Sequence, residues 1–126
     1  MRDRLFHTGE LLLPSPGVDP TAWACVACDQ YTSQPEYWRE AEALVGDRPG
    51  ALRLVLPEVY LDQAQERIPR IHEAMRKALE TGALTPAVRD GWILTVRMTG
   101  SGERVGLVGM LDLEGYDYRP GTHAPV

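Results

Sequence analysis

An α+β or α/β fold is predicted, with a mixed sheet of about four strands that includes a C-terminal hairpin and carries two helices. Three features of the 126-residue chain predict it. An amphipathic segment with helix-start signals runs from Gln34 to Val45, and a second helical stripe reaches Glu80. Alternation of apolar and polar residues then occupies Trp92 to Leu113, interrupted once by Gly100-Ser101-Gly102. The length suits one domain, and no repeat period of about 20 to 50 residues is present.

In chain order, Leu11-Leu12-Leu13-Pro14-Ser15-Pro16-Gly17 is a loop or an edge strand, because each proline forces extended geometry on its predecessor. Residues 23 to 28, Trp-Ala-Cys-Val-Ala-Cys, form a short apolar run that suits a strand buried on both faces. The polar stretch from Asp29 follows as a loop. Ser33 precedes Glu36 by three residues and Pro35 falls in the first turn, which predicts a capping box and a helix over Gln34 to Val45. Tyr37, Trp38, Ala41, Leu44 and Val45 make its buried stripe, and Gly46 stops it.

Ala51 to Leu56 alternates toward a strand that Pro57 ends. The next helix extends to about Glu80 and Gly82 closes it. Pro69 either starts this helix or kinks a longer one that begins near Asp62. Its inner stripe is Ile68, Ile71, Met75, Ala78 and Leu79; Glu66, Arg67, Arg70, Glu73, Arg76 and Lys77 decorate the outside. The hairpin strands are placed near 91 to 99 and 103 to 114, with Gly106 and Gly109 marking a bulge or a close approach by another backbone. Residues 115 to 126 carry no period and are expected to form an irregular tail, in which Tyr116 and Tyr118 cover a core edge or meet a missing partner segment.

Composition excludes several functions. Apolar residues make up 44% and charged residues 25%, the balance of a soluble globular chain. Thirteen basic against eighteen acidic residues give a net charge of -5, which argues against nucleic acid and anionic membranes as partners. No apolar run approaches the ~20 residues that cross a bilayer, so a cytoplasmic location is expected.

The sites are few. Cys25 and Cys28 have CxxC spacing, but on a strand their sulfurs point to opposite faces, so inert buried thiols are expected and a zinc cluster is not. His72, beside Glu73 and Arg76, reads as a surface or boundary residue. Asp112, Glu114 and Asp117 have a spacing that suits Mg²⁺ or Ca²⁺, yet their alternation fits the solvent face of a strand better, and no metal is assigned. The candidate ligand site is Cys28, Asp29, Gln30, Tyr31, Thr32, Ser33 and Gln34, set between a strand and a helix N-terminus whose free amides favour an anion. The competing reading is structural: Ser33 caps the helix, Asp29 closes a turn and Tyr31 packs on the sheet. A Gly-rich phosphate cradle is absent from the sequence.

The block Trp23 to Trp38, W-A-C-V-A-C-D-Q-Y-T-S-Q-P-E-Y-W, resembles the prokaryotic family known as domain of unknown function 1015 (DUF1015). Val45-Gly46-Asp47-Arg48-Pro49, Leu52 to Leu61 and the stretches Gly106 to Gly109 and Asp112 to Tyr118 support the resemblance, which spans nearly the whole chain. It implies that the chain is the N-terminal part of a larger domain, and it implies no particular reaction or cofactor. Two functions are therefore expected from the residues: binding of an anionic or phosphorylated small molecule at the loop, or a noncatalytic module that docks on further chain or on a partner.

Overall fold

The computed structural model describes residues 6–115, 117 and 119–121. Its described elements, in order, are β1 (Phe6–His7), β2 (Gly9–Pro14), α1 (Pro20–Trp23), α2 (Pro35–Val45), 3-10 turns at Ala51–Leu54 and Glu58–Gln63, α3 (Ala64–Glu80), β3 (Leu84–Gly91), β4 (Ile93–Thr99), β5 (Gly102–Val108), β6 (Met110–Leu111) and a 3-10 turn at Leu113–Gly115. The α+β class is as predicted. The strands, however, lie in separate pairs, β1 with β6, β2 with β3 and β4 with β5, and not in one sheet. The β1–β6 and β4–β5 pairs are antiparallel.

Two compact units are distinguished, one of strands within Met1–Leu12 and Pro86–Val126, the other of helices within Leu13–Thr85. In the helical unit, α2 follows the predicted span. Pro35 occupies its first turn and Gly46, at φ 57°, ends it in the left-handed region that glycine enters without a Cβ penalty. Trp38 and Val45 are buried with Leu52 and Tyr60, and Tyr37, Ala41 and Val26 pack around them. Leu44, placed in the stripe by its spacing, is exposed.

Two predicted strands in this unit do not form: 23–28 is irregular after a helical turn that ends at Trp23, and 51–54 is a 3-10 turn. Asp19 accepts the Thr21 amide at 2.9 Å and Pro20 is pre-set for a first turn, so the chain coils over Pro20–Trp23 before the apolar run at 24–28 becomes irregular. Ala51–Leu54 likewise coils, with the Arg53 amide donating to the Gly50 carbonyl at 3.1 Å. The coil turns Leu52 alone into the core. Neither run has a neighbouring strand to receive ladder hydrogen bonds, and local turns satisfy its backbone.

α3 takes the longer of the two predicted forms, with Pro69 inside it and the 3-10 turn Glu58–Gln63 leading in. Its buried or half-buried side is Ala64, Arg67, Ile71, Ala74 and Ala78. Ile68, Met75 and Leu79 of the predicted inner stripe are exposed, and Arg67 moves from the predicted outer face to the inner one.

In the strand unit, β4 and β5 are joined by a two-residue turn, Gly100-Ser101, with Thr99 opposite Gly102 and Leu94 opposite Leu107. The long strand predicted for 103 to 114 breaks at Gly109. A Cβ there would lie 2.6 Å from Trp92 Cδ1 and 2.7 Å from Phe6 Cζ, so the break admits two stacked rings. The approach at Gly109 is thus by aromatic side chains and not by another backbone, and at Gly106 it is by the Thr95 hydroxyl, 2.7 Å from where a Cβ would stand. The first hairpin strand, expected from residue 91, starts at Ile93, because Leu84–Gly91 forms a strand of its own that the alternation reading missed. The expectations for Tyr116 and Tyr118, and for residues 122–126 of the tail, lie outside the described residues.

Candidate functional site

Cys28 to Gln34 form an exposed loop whose backbone is held by short turns. Gln30 donates its amide to the Ala27 carbonyl at 3.0 Å, and Gln34 donates to Tyr31 at 3.1 Å. Farther along, the Glu58 amide donates to the Cys28 carbonyl at 2.9 Å, and Trp38 Nε1 donates to the Tyr31 carbonyl at 3.3 Å. Tyr31 adopts φ 53°, uncommon for a residue with a Cβ, and its ring stacks on Tyr37 with centroids 3.8 Å apart. Burial, with Tyr31 and Cys25 nearby, pushes the Tyr37 phenol above its ordinary range.

Part of the structural reading of this loop is corrected. Gln34, not Ser33, is the N-cap of α2, and no side chain caps the helix. The Tyr31 ring packs on Tyr37 of α2, not on a sheet. The strand expected ahead of the loop is absent, so no strand-end crevice forms there. What remains is an open helix entrance with Glu36 in its first turn and no Lys or Arg between Trp23 and Trp38. The clefts of about 300, 320 and 340 Å³ in the helical unit are lined without any residue of Cys28–Gln34.

Both cysteines are unpaired, and neither is fully buried: Cys25 is half-buried and Cys28 exposed. The expectation of two buried thiols fails with the strand that motivated it. Cys25 Sγ donates to the Val26 carbonyl at 3.2 Å, and burial, with Cys28 beside it, pushes its thiol pKa up. His72 is exposed, as predicted. Asp112 accepts the Glu114 amide at 3.0 Å in a local turn. Asp117 accepts from the Arg119 side chain and amide, and the guanidinium holds its carboxyl below the usual range.

Sequence reasoning assigned no role to the hairpin surface, where the structure leaves a row of apolar side chains uncovered. Leu94, Val96, Met98, Val105 and Leu107 share one side of β4–β5 and are 51 to 73% exposed. Glu103, opposite Met98, closes that side at the turn end, and the other side carries Ile93 opposite Val108, Thr95 opposite Gly106 and Arg97 opposite Arg104. The signal was present in the sequence as the alternation itself, which shows that one face is apolar but not what covers it.

Neither the curated proteins nor the solved structures give a match to the chain. A family model described as "Protein of unknown function (DUF1015)" matches residues 12–121, nearly the whole sequence and every motif described above for the helical unit. The chain therefore belongs to the DUF1015 family.

Proposed function

We propose that the chain is a noncatalytic α+β docking module whose β4–β5 face receives an amphipathic helix from a partner protein. The observation that carries this reading is the row of exposed aliphatic side chains on one face of the hairpin. Monomers rarely leave such a contiguous apolar surface open. Seven residues of β4 give a strip about 23 Å long and two strands wide. One helix of about 15 residues matches that footprint.

Covering a half-exposed aliphatic side chain stabilises by about 1 kcal/mol, so the face offers on the order of 5 kcal/mol. Association of separate molecules costs about 4 to 15 kcal/mol. The face alone thus supports a weak encounter, and a stable complex needs a helix held close by additional contacts. Hydrodynamic sizing tests the reading: the isolated chain self-associates as its concentration rises, and Val96→Lys suppresses this. A monomer at every concentration that binds no apolar dye contradicts it. A cytoplasmic setting goes with this reading, since reducing compartments leave thiols such as Cys25 and Cys28 unpaired.

A second reading keeps the loop Cys28–Gln34 as the site of an anionic small molecule. Its support is the exposure of all seven residues and a helix start with no side-chain cap. Under it, replacing Asp29 and Thr32 together by Ala abolishes binding of a phosphorylated metabolite and leaves the Tm unchanged. A lowered Tm with no ligand found favours a structural role for the loop.

A further inference from the structure

The helical unit contains a concave surface rich in arginine. A cleft of about 300 Å³ is lined by Arg53, Arg67 and Arg70, with Leu52 and Ile71 among its apolar walls. Glu42 is its one carboxylate. A second opening of about 320 Å³ shares Arg53 and Arg70, so these two side chains stand between both spaces. Each arginine has one carboxylate partner, Asp47 for Arg53, Glu42 for Arg67 and Glu66 for Arg70, so what the cleft offers is guanidinium donors over a partly apolar floor and not a net positive charge.

Hydrogen bonding within the chain does not exhaust these arginines. Neighbouring Arg48 shows the contrast: its Nε donates to Val45 at 3.1 Å, its Nη1 to Asp19 at 2.8 Å and its Nη2 to the Leu44 carbonyl. Arg67 donates Nε to Gln63 and Nη1 to Glu42, both at 3.1 Å, and its Nη2 meets no acceptor among the described residues. Arg70 commits Nη2 to Glu66 at 2.5 Å and keeps Nε and Nη1. Arg53 commits Nε and Nη2 to the Arg48 and Gly46 carbonyls, with Nη2 also 3.9 Å from the Asp47 carboxylate, and keeps Nη1. Arg67 is also fixed in place, with its guanidinium carbon 3.5 Å from the centre of the Tyr60 ring and its side chain 25% exposed. Donors so fixed lose little freedom when an oxyanion arrives.

We propose that this cleft binds a small phosphate monoester with an apolar body. A phosphate monoester carries about -1.5 to -2 at neutral pH and accepts several charge-assisted hydrogen bonds, which the uncommitted guanidinium N–H groups can donate. The cleft volume lies at the lower end of ligand pockets, about 300 to 1,000 Å³, and limits the body to roughly one ring. The proposal rests neither on the hairpin face nor on the loop Cys28–Gln34.

Calorimetric titration of the full chain with phenyl phosphate, with phenol as the uncharged control, tests it. Saturable binding is expected for phenyl phosphate and none for phenol. Arg53→Gln and Arg70→Gln should each weaken binding by about tenfold. The double variant Asp29→Ala, Thr32→Ala should bind as the wild type does. Arg70 is suited to the test because its side chain is 73% exposed and its ion pair with Glu66 is a surface pair, so Arg70→Gln keeps the fold. In the unsubstituted chain, the Nε–Hε NMR signals of Arg53, Arg67 and Arg70 should shift on titration while those of Arg97 and Arg104 stay. The absence of saturable binding up to about 10 mM overturns the proposal. Unchanged affinity in both Arg variants, loss of binding in the loop variant alone, or shifts confined to Arg97 and Arg104 also overturn it.

Discussion

At the scale of single residues, Trp38 decides whether the helical unit has a core. Its side chain is fully buried, and its indole also anchors the loop through the Tyr31 carbonyl. Trp38→Ala is expected to destabilise by about 3 to 5 kcal/mol, a large share of a small domain's stability, read as a lower urea midpoint. Gly109 is the counterpart in the strand unit, because any Cβ there meets the Phe6 and Trp92 rings. Gly109→Ala should cost about 1 to 3 kcal/mol in the same measurement, and a change within noise contradicts the ring pair around it. The cysteines make a chemical prediction. Burial raises the Cys25 pKa, so its thiol keeps its proton at pH values where an ordinary thiol, near about 8.5, is half ionised. Iodoacetamide at neutral pH should label exposed Cys28 first, and the Cys25 labelling rate should rise with pH through a midpoint above that of a free thiol. Mass spectrometry of the peptides separates the two.

At the scale of elements, legibility followed the length of the pattern. α2 carries a proline start, a three-and-four stripe and a glycine stop over eleven residues, and it forms where those signals put it. The β4–β5 register is also as the alternation implies, because seven paired residues and a short turn leave little freedom to slip. The six-residue runs at 23–28, all apolar, and at 51–56, apolar except for Arg53, did not carry enough period to distinguish a strand from a turn, and nearby Asp19, Pro20 and Gly50 start helical turns in their place. The Ser33 cap failed because the helix starts one residue later than a capping box requires. Arg67 was illegible for a different reason: guanidinium stacking on Tyr60 turns a charged residue inward, which a polarity pattern reads as outward. Pro69 makes the prediction at this scale. It lies within α3 and offers no amide to the turn before it, so Pro69→Ala should stabilise the chain by about 1 to 3 kcal/mol in urea unfolding. No gain at all contradicts a continuous helix across that position.

At the scale of the whole chain, each unit leaves an apolar surface open. In the helical unit, Ile68, Met75 and Leu79 line an uncovered side of α3, although their spacing predicts burial. In the strand unit, the face of β4–β5 repeats the situation on a sheet. Both faces carry the apolar periodicity of a buried surface, and such a pattern carries no information about what would cover it. Among the described residues, no helix is long and apolar enough to cross a membrane. A protein surface is the occupant that the docking reading requires. The most direct measurement is a titration of the chain with an environment-sensitive apolar dye, for the unsubstituted sequence and for Val96→Lys combined with Leu107→Lys. Dye bound by the first and largely lost in the second is the predicted result; an unsubstituted chain that binds no dye contradicts the docking face.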